Sequence, residues 1–183
     1  QRQMCIRDRW SALRAAGYEG GPVLEPGSGT GNFISHAPDT ADAVGVEIDP
    51  TAARIAQYLY PQATIVNSGF EKFQPRDNTF AAAIGNVPFG DFQLHDPQHN
   101  QQSHSIHNHF IGKSINLVQP GGYVALVTSS YTADSLSSDA RQEMIASADL
   151  VTAARLPAGT FSKVAGTDVG TDVLVFRKRA AGE

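Results

Sequence analysis

The 183 residues carry 14 basic and 18 acidic side chains, a formal net charge of −4, with 41% hydrophobic and 17% charged residues. That length supports one domain with a real core, and no apolar run reaches membrane-spanning length. The single cysteine excludes an internal disulfide and fits a cytoplasmic setting without a visible secretory signal, and the acidic balance is a poor footprint for a free-standing nucleic-acid binder.

Residues 1–9 hold the only cysteine and three arginines without clear periodicity, and Met4-Cys5-Ile6-Arg7-Asp8-Arg9 resembles translated adapter sequence. They are set aside as a non-native tail. Without their three arginines and one aspartate the net charge falls from −4 to −6.

Residues 10–16 space Trp10, Leu13 and Ala16 as a helix that stops at Gly17. A first strand, 22–24, runs into Glu25-Pro26-Gly27-Ser28-Gly29-Thr30-Gly31, and a short helix over 30–36 is predicted to follow, offering free N–H groups. A second strand, 43–48, ends at Glu47, after which Asp49 and Pro50 predict the N-cap and first position of a helix reaching about Tyr60. Strands over 63–67 and 80–84 follow, the latter closing on Gly85-Asn86-Val87-Pro88-Phe89-Gly90. A polar, histidine-rich loop over 91–102 leads to a helix over 105–118. Pro120-Gly121-Gly122 predicts a turn before a fifth strand, 123–128. Residues 133–148 are predicted helical with Leu136, Met144 and Ile145 as anchors, and strands over 150–156 and 171–177 close the chain. The alternation predicts an α/β fold, a mostly parallel sheet with helices on both faces, whose last strand, lacking a crossover helix, is antiparallel. There is no internal repeat and no linker dividing two domains.

The alternating glycines are neither the dinucleotide fingerprint nor a P-loop. Glu25 before the turn would repel a pyrophosphate but suit a cationic ligand, and S-adenosylmethionine carries an ammonium and a sulfonium. Glu47, 16 positions after Gly31, stands where an acid can take both ribose hydroxyls.

Leu24-Glu25-Pro26-Gly27-Ser28-Gly29-Thr30-Gly31-Asn32-Phe33, then Val44-Gly45-Val46-Glu47-Ile48-Asp49-Pro50, then Asn86-Val87-Pro88-Phe89 resembles the DNA adenine-N6 methyltransferases with an Asn-Pro-Pro-Tyr/Phe motif. The chain is also similar to methyltransferase modules fused to helicases in mobile elements and phages. The resemblance implies a Rossmann-like class I methyltransferase, a seven-stranded sheet in the order 3-2-1-4-5-7-6 over residues 10–179. Residues 180–183 are then a tail truncated from a larger protein, with a target-recognition or helicase domain outside this chain. S-adenosylmethionine is the implied cofactor, held by Glu25, Pro26, Gly27, Gly29, Thr30, Gly31, Glu47, Ile48, Phe70 and Asn86. DNA, through a flipped adenine, is the implied substrate, and no membrane is involved.

The weak nucleophilicity of an exocyclic amine explains the catalytic motif. The Asn86 side-chain oxygen and the Val87 carbonyl accept its hydrogens, Pro88 fixes the turn and Phe89 stacks on the base, so positioning supplies much of the rate. The family usually has proline where Val87 stands, but only a carbonyl is needed there. Alone, Asn86-Val87-Pro88 would read as an ordinary strand-ending turn. Phe161 corresponds to an aromatic that stacks on the flipped base from the other side, with a sheet-capping core residue as the alternative. At the end of the third strand Gly69 stands where the family often has an acid for the cofactor's adenine amine; Asn67 is the expected substitute. His95, His99, His104, His107 and His109 invite a metal site, but the chemistry needs none, and none is assigned. RNA-base or protein-glutamine methylation uses the same motif logic, and a non-catalytic DNA- or partner-binding module remains a third reading.

Overall fold

The computed structural model describes residues 2–135, 138–156, 170–180 and 182–183. The elements are α1 (Arg2–Ala16), β1 (Gly21–Pro26), β2 (Ala41–Glu47), α2 (Pro50–Leu59), β3 (Thr64–Asn67), β4 (Phe80–Asn86), α3 (Ile106–Leu117), β5 (Val118–Ser129), α4 (Tyr131–Asp134), α5 (Asp139–Ser147), β6 (Ala148–Arg155) and β7 (Thr171–Lys178). The seven strands form one sheet in the order β3-β2-β1-β4-β5-β7-β6. β1 to β5 are parallel, and β7 runs antiparallel to both β5 and β6, as the sequence predicts.

Strand side chains alternate between faces, so neighbours in sequence feed different cores. Val23, Ala82, Ile84, Ala125 and Val175 pack under Trp10 and Leu13 of α1. Leu24, Ala83, Val124, Leu126, Leu174 and Phe176 pack under Phe110 and Ile111 of α3 and Met144 of α5. A smaller cluster joins Ala53 and Ala56 of α2 to Ala43 and Ile65. Both faces are thereby covered, which is why the central strands read as nearly continuous apolar runs. No helix of the described residues is long and apolar enough to cross a membrane.

Parallel pairing gathers the carboxyl ends of the strands at one edge. Pro26 lies opposite Val46, Glu47 opposite Asn67, and Asn86 opposite Val127. All three motifs are therefore delivered to the same edge, where an open α/β sheet presents its ligand crevice.

Three expectations need correction. No α-helix follows the glycine turn; residues 30–33 stay in turns, and only a 3-10 turn, Ile34–His36, forms before Pro38. Gly31 sits at φ +84, outside helical space, and too little chain remains before β2. The turn at Pro120-Gly121-Gly122 is a bulge within β5: pairing passes from Phe80↔Val118 to Ala82↔Tyr123, so four residues oppose one. The helix expected over 133–148 is two helices. Ser135 and Ser138 flank the break, and such serines favour caps over helix interiors. Met144 is buried as expected, but Ile145 is half exposed. Leu136 lies outside the described residues.

α1 also extends through residues 2–9, the segment set aside in the sequence analysis. Ile6 and Arg9 on it are buried.

Candidate active site

The turn after β1 is built from three glycines at φ +67, +56 and +84. Each serves a different neighbour. A Cβ on Gly27 would lie 3.8 Å from the Asn86 carbonyl oxygen and 4.0 Å from Pro88 Cδ. The glycine turn and the Asn86 turn are thus neighbours, close enough that a side chain on Gly27 would reach the second turn. Gly29 faces open space, with no atom within 4 Å of where a Cβ would be. Gly31 is a packing residue instead: a Cβ there would sit 2.6 Å from the Tyr60 ring. Ser28 N–H donates to the Val46 carbonyl at 3.0 Å and ties the turn to β2.

Glu25 is 4% exposed and turned beneath this loop, where Oε2 accepts from the Ile34 N–H at 3.2 Å. Burial pushes its carboxyl up to about 8, against backbone hydrogen bonds from Phe33 and Ile34 that favour the ionised form. At neutral pH it is largely a neutral acid, unlike the open carboxylate expected from the sequence. Glu47 is fixed at both oxygens: Oε2 accepts from the Gly29 N–H and Oε1 from the Asp49 N–H, each at 2.7 Å. Asp49 in turn caps α2 through Ala52 N–H, as expected. Ile48, between them, is 70% exposed.

At the end of β3 the Asn67 amide donates to the Glu47 carbonyl at 2.8 Å and to the Ile48 carbonyl at 3.1 Å. It clamps β2 and offers these neighbours a donor rather than the acceptor expected of a substitute acid. Phe70 is 3% exposed, with its ring 4.7 Å from Phe110 and 6.4 Å from Phe73. The ring expected against the adenine is committed to the core, and the exposed apolar surface beside Glu47 belongs to Ile48.

Asn86 is exposed at the end of β4, while Val87 is buried and donates its N–H to Val127 O at 2.9 Å. Asn86 Oδ1 accepts a 2.8 Å hydrogen bond from Arg9 Nη1. Arg9 also lies over the Phe33 ring at 5.1 Å. Phe89 is half-buried against the core. Pro26 and Thr30 flank the loop, Pro26 inside β1 and Thr30 half-buried in the turn.

The segment after Phe89 is held by a buried polar hub that sequence reasoning missed. Asp96 Oδ2 accepts from Lys113 Nζ at 2.8 Å and pairs with His109 Nε2 at 3.0 Å. Its Oδ1 accepts from Gln74 and from the His99 N–H. Lys113 Nζ, fully buried, also donates to the Phe70 carbonyl at 2.7 Å. Burial would raise the Asp96 carboxyl, but the hydrogen bonds from Lys113, His109 and Gln74 win and hold it well below the usual range. Burial lowers both Lys113 and His109, with Asp96 opposing. Four of the five histidines considered as ligands are thus spent or buried: His99 pairs with Asp77, His109 with Asp96, His104 with Glu143, and His107 is buried in α3. His104 precedes α3, while His95 is exposed. Among the described residues no group of three or more His, Cys, Asp or Glu side chains could hold a metal ion.

Phe161 lies outside the described residues. At the β6 edge of the sheet Arg155 is engaged by Asp172 and Asp134, each at 2.9 Å.

No family model matches the chain. It is 30% identical over 178 residues to the Defense against restriction protein B of Escherichia phage P1, aligning over 94% of its own length. The chain spans only 8% of the length of that relative. Among solved structures, 99% of the chain superposes on 60% of a Listeria monocytogenes protein assigned to the class I S-adenosylmethionine-dependent methyltransferases (TM-score 0.78, 14% identity). It superposes over 97% of its length on 44% of a Vibrio vulnificus protein assigned as the modification subunit of a type I restriction enzyme (TM-score 0.76, 19% identity). It also matches the N-methyltransferase NodS from Bradyrhizobium japonicum, over 97% of this chain and 96% of that one (TM-score 0.67, 11% identity). At these identities the likeness establishes the fold, the Rossmann-like architecture of class I methyltransferases.

Proposed function

We propose that this domain binds S-adenosylmethionine and transfers its methyl group to the exocyclic N6 amine of adenine in DNA. One observation carries the reading: the glycine turn and the Asn86-Val87-Pro88-Phe89 turn lie side by side, so that a side chain on Gly27 would reach Asn86 and Pro88. A cofactor cradle and an amine-accepting turn side by side are the minimum that group transfer needs.

The residues suit the cofactor. Gly29 opens on free space at positive φ, so backbone can approach a ligand there. Glu47 stands beside it for the ribose hydroxyls, and Ile48 offers an apolar face for the base. Glu25, kept neutral by burial, gains a reason to ionise when a cation arrives. When bound, the cofactor supplies an electrophilic methyl on a sulfonium. The protein's part is to position the acceptor: Asn86 Oδ1 and the Val87 carbonyl orient the amine, Pro88 holds the turn and Phe89 packs on the base.

DNA as substrate, with a further domain to read its sequence, is in keeping with the name of the phage relative and with the modification-subunit likeness. A methylated adenine is chemistry that a restriction nuclease can read. Incubation with labelled S-adenosylmethionine and DNA, RNA or protein tests this. Label in DNA N6-methyladenine supports the reading; label in protein alone overturns it.

A further inference from the structure

The Asn86-Val87-Pro88-Phe89 turn continues through Gly90, where a side chain would run into the Phe92 ring and reach Ile106 at 3.5 Å. The chain then bonds to the start of α3: the Ile106 N–H donates to the Phe92 carbonyl at 2.9 Å, and Gln93 bridges Ser105. Between the Val87 N–H on Val127 and the Phe92 carbonyl on Ile106, residues 88–91 make no backbone–backbone hydrogen bond among the described residues. His107, in the first turn of α3, is 8% exposed, and its Nε2 lies 3.1 Å from Ser105 Oγ. Nδ1 is buried without a well-aligned partner among the described residues. The Gly90 backbone acts on this ring as a hydrogen-bond acceptor, which makes it the Gly90 carbonyl. Burial lowers the imidazole against the opposing pull of Gly90 and Asp91, so the ring is neutral at pH 7.

We propose that His107 is a positioning residue for methyl transfer: its Nδ1–H donates to the Gly90 carbonyl and holds the turn that carries Asn86 and Phe89. The inference rests on the function proposed above. A neutral imidazole has one donor and one acceptor nitrogen. With the Ser105 hydroxyl donating to Nε2, the proton is left on Nδ1, the nitrogen free to meet Gly90. A loosely aligned bond of this kind tightens when substrate is bound. It would fix a stretch that the sheet does not hold, one residue past the ring assigned to the base. A ring that only filled space beside α3 would affect stability, and it would not matter which of its nitrogens a substitute retained.

Transfer of labelled methyl to DNA by His107→Ala, His107→Asn and His107→Gln, with calorimetry of S-adenosylhomocysteine alongside, tests this. An asparagine amide falls near the place of Nδ1 and a glutamine amide near that of Nε2, so only the first still donates to Gly90. His107→Ala and His107→Gln should lower kcat by about tenfold or more, with S-adenosylhomocysteine affinity within about twofold of the unaltered chain. His107→Asn should return kcat to within about threefold of the unaltered value. Nitrogen NMR of the unaltered chain at neutral pH needs no variant and should show the Nδ1–H tautomer of His107. An Nε2–H tautomer overturns the inference, as does a kcat that His107→Ala leaves unchanged or that His107→Asn and His107→Gln lower alike; the proposed function stands in each case. If the unaltered chain transfers no methyl to DNA, the proposed function itself falls, and this positioning role with it.

Discussion

Arg9 Nη1 donates a 2.8 Å hydrogen bond to Asn86 Oδ1, the oxygen that the proposed chemistry gives to the target amine. The contact is sheltered, because Arg9 is 4% exposed and stacked over Phe33. A charged donor on that oxygen competes with the substrate. Arg9→Ala should therefore raise the rate of methyl transfer by on the order of tenfold. Initial rates with labelled cofactor measure this, and equal rates contradict it. Deleting residues 1–9, proposed here as non-native, should also raise the rate. Losing Ile6 from the core should cost that variant about 1–3 kcal/mol of stability.

Gly29 and Gly31 should separate ligand approach from packing. Gly29→Ala meets open space, so strain at φ +56 should cost only about 1 kcal/mol of stability, while S-adenosylhomocysteine binding weakens severalfold. Gly31→Ala collides with Tyr60 and should lose more stability than Gly29→Ala, roughly 1–3 kcal/mol. Urea unfolding and calorimetry on both variants report the two effects. Equal stability losses would contradict the division of labour.

Glu25 should make stability fall as pH rises. Its folded value of about 8 lies above the ordinary glutamate value of 4.5, so between these the native state binds more protons than the unfolded chain. Stability from this group is full below the unfolded value and declines as pH rises toward the folded one, by at most about 1.4 kcal/mol per pH unit. Thermal melting across that window should show the decline, and Glu25→Gln should flatten it. Because a cationic ligand favours the ionised form, cofactor affinity should rise with pH over the same window and level off above it.

Lys113 should be costly to truncate. Lys113→Ala leaves Asp96 buried without its cationic partner, for an expected loss of about 3–5 kcal/mol. Lys113→Ala/Asp96→Asn should lose much less than the two single losses added together. Chemical denaturation of the four proteins completes the cycle, and strict additivity would contradict the hub.

The strands and their mostly parallel pairing were legible in the sequence because they follow from hydrophobic runs and turn residues, while the strand order came from the family resemblance. Asp49 and Pro50 announced the start of α2 by local chemistry alone. The Arg9–Asn86 bond and the Asp96–Lys113 hub were not legible: their partners are 77 and 17 residues apart, and nothing local specifies them. The serines at 135 and 138 did carry a breaking signal, overridden in the reading by the apolar spacing of Met144 and Ile145. Phe70 was misplaced because an aromatic beside a presumed pocket looks the same in sequence whether it faces ligand or core.

The central claim stands on Asn86. Asn86→Ala should reduce transfer of labelled methyl to DNA adenine by at least about 100-fold, while S-adenosylhomocysteine binds within about twofold of the unaltered chain. Transfer to DNA that survives this substitution undiminished would contradict the account.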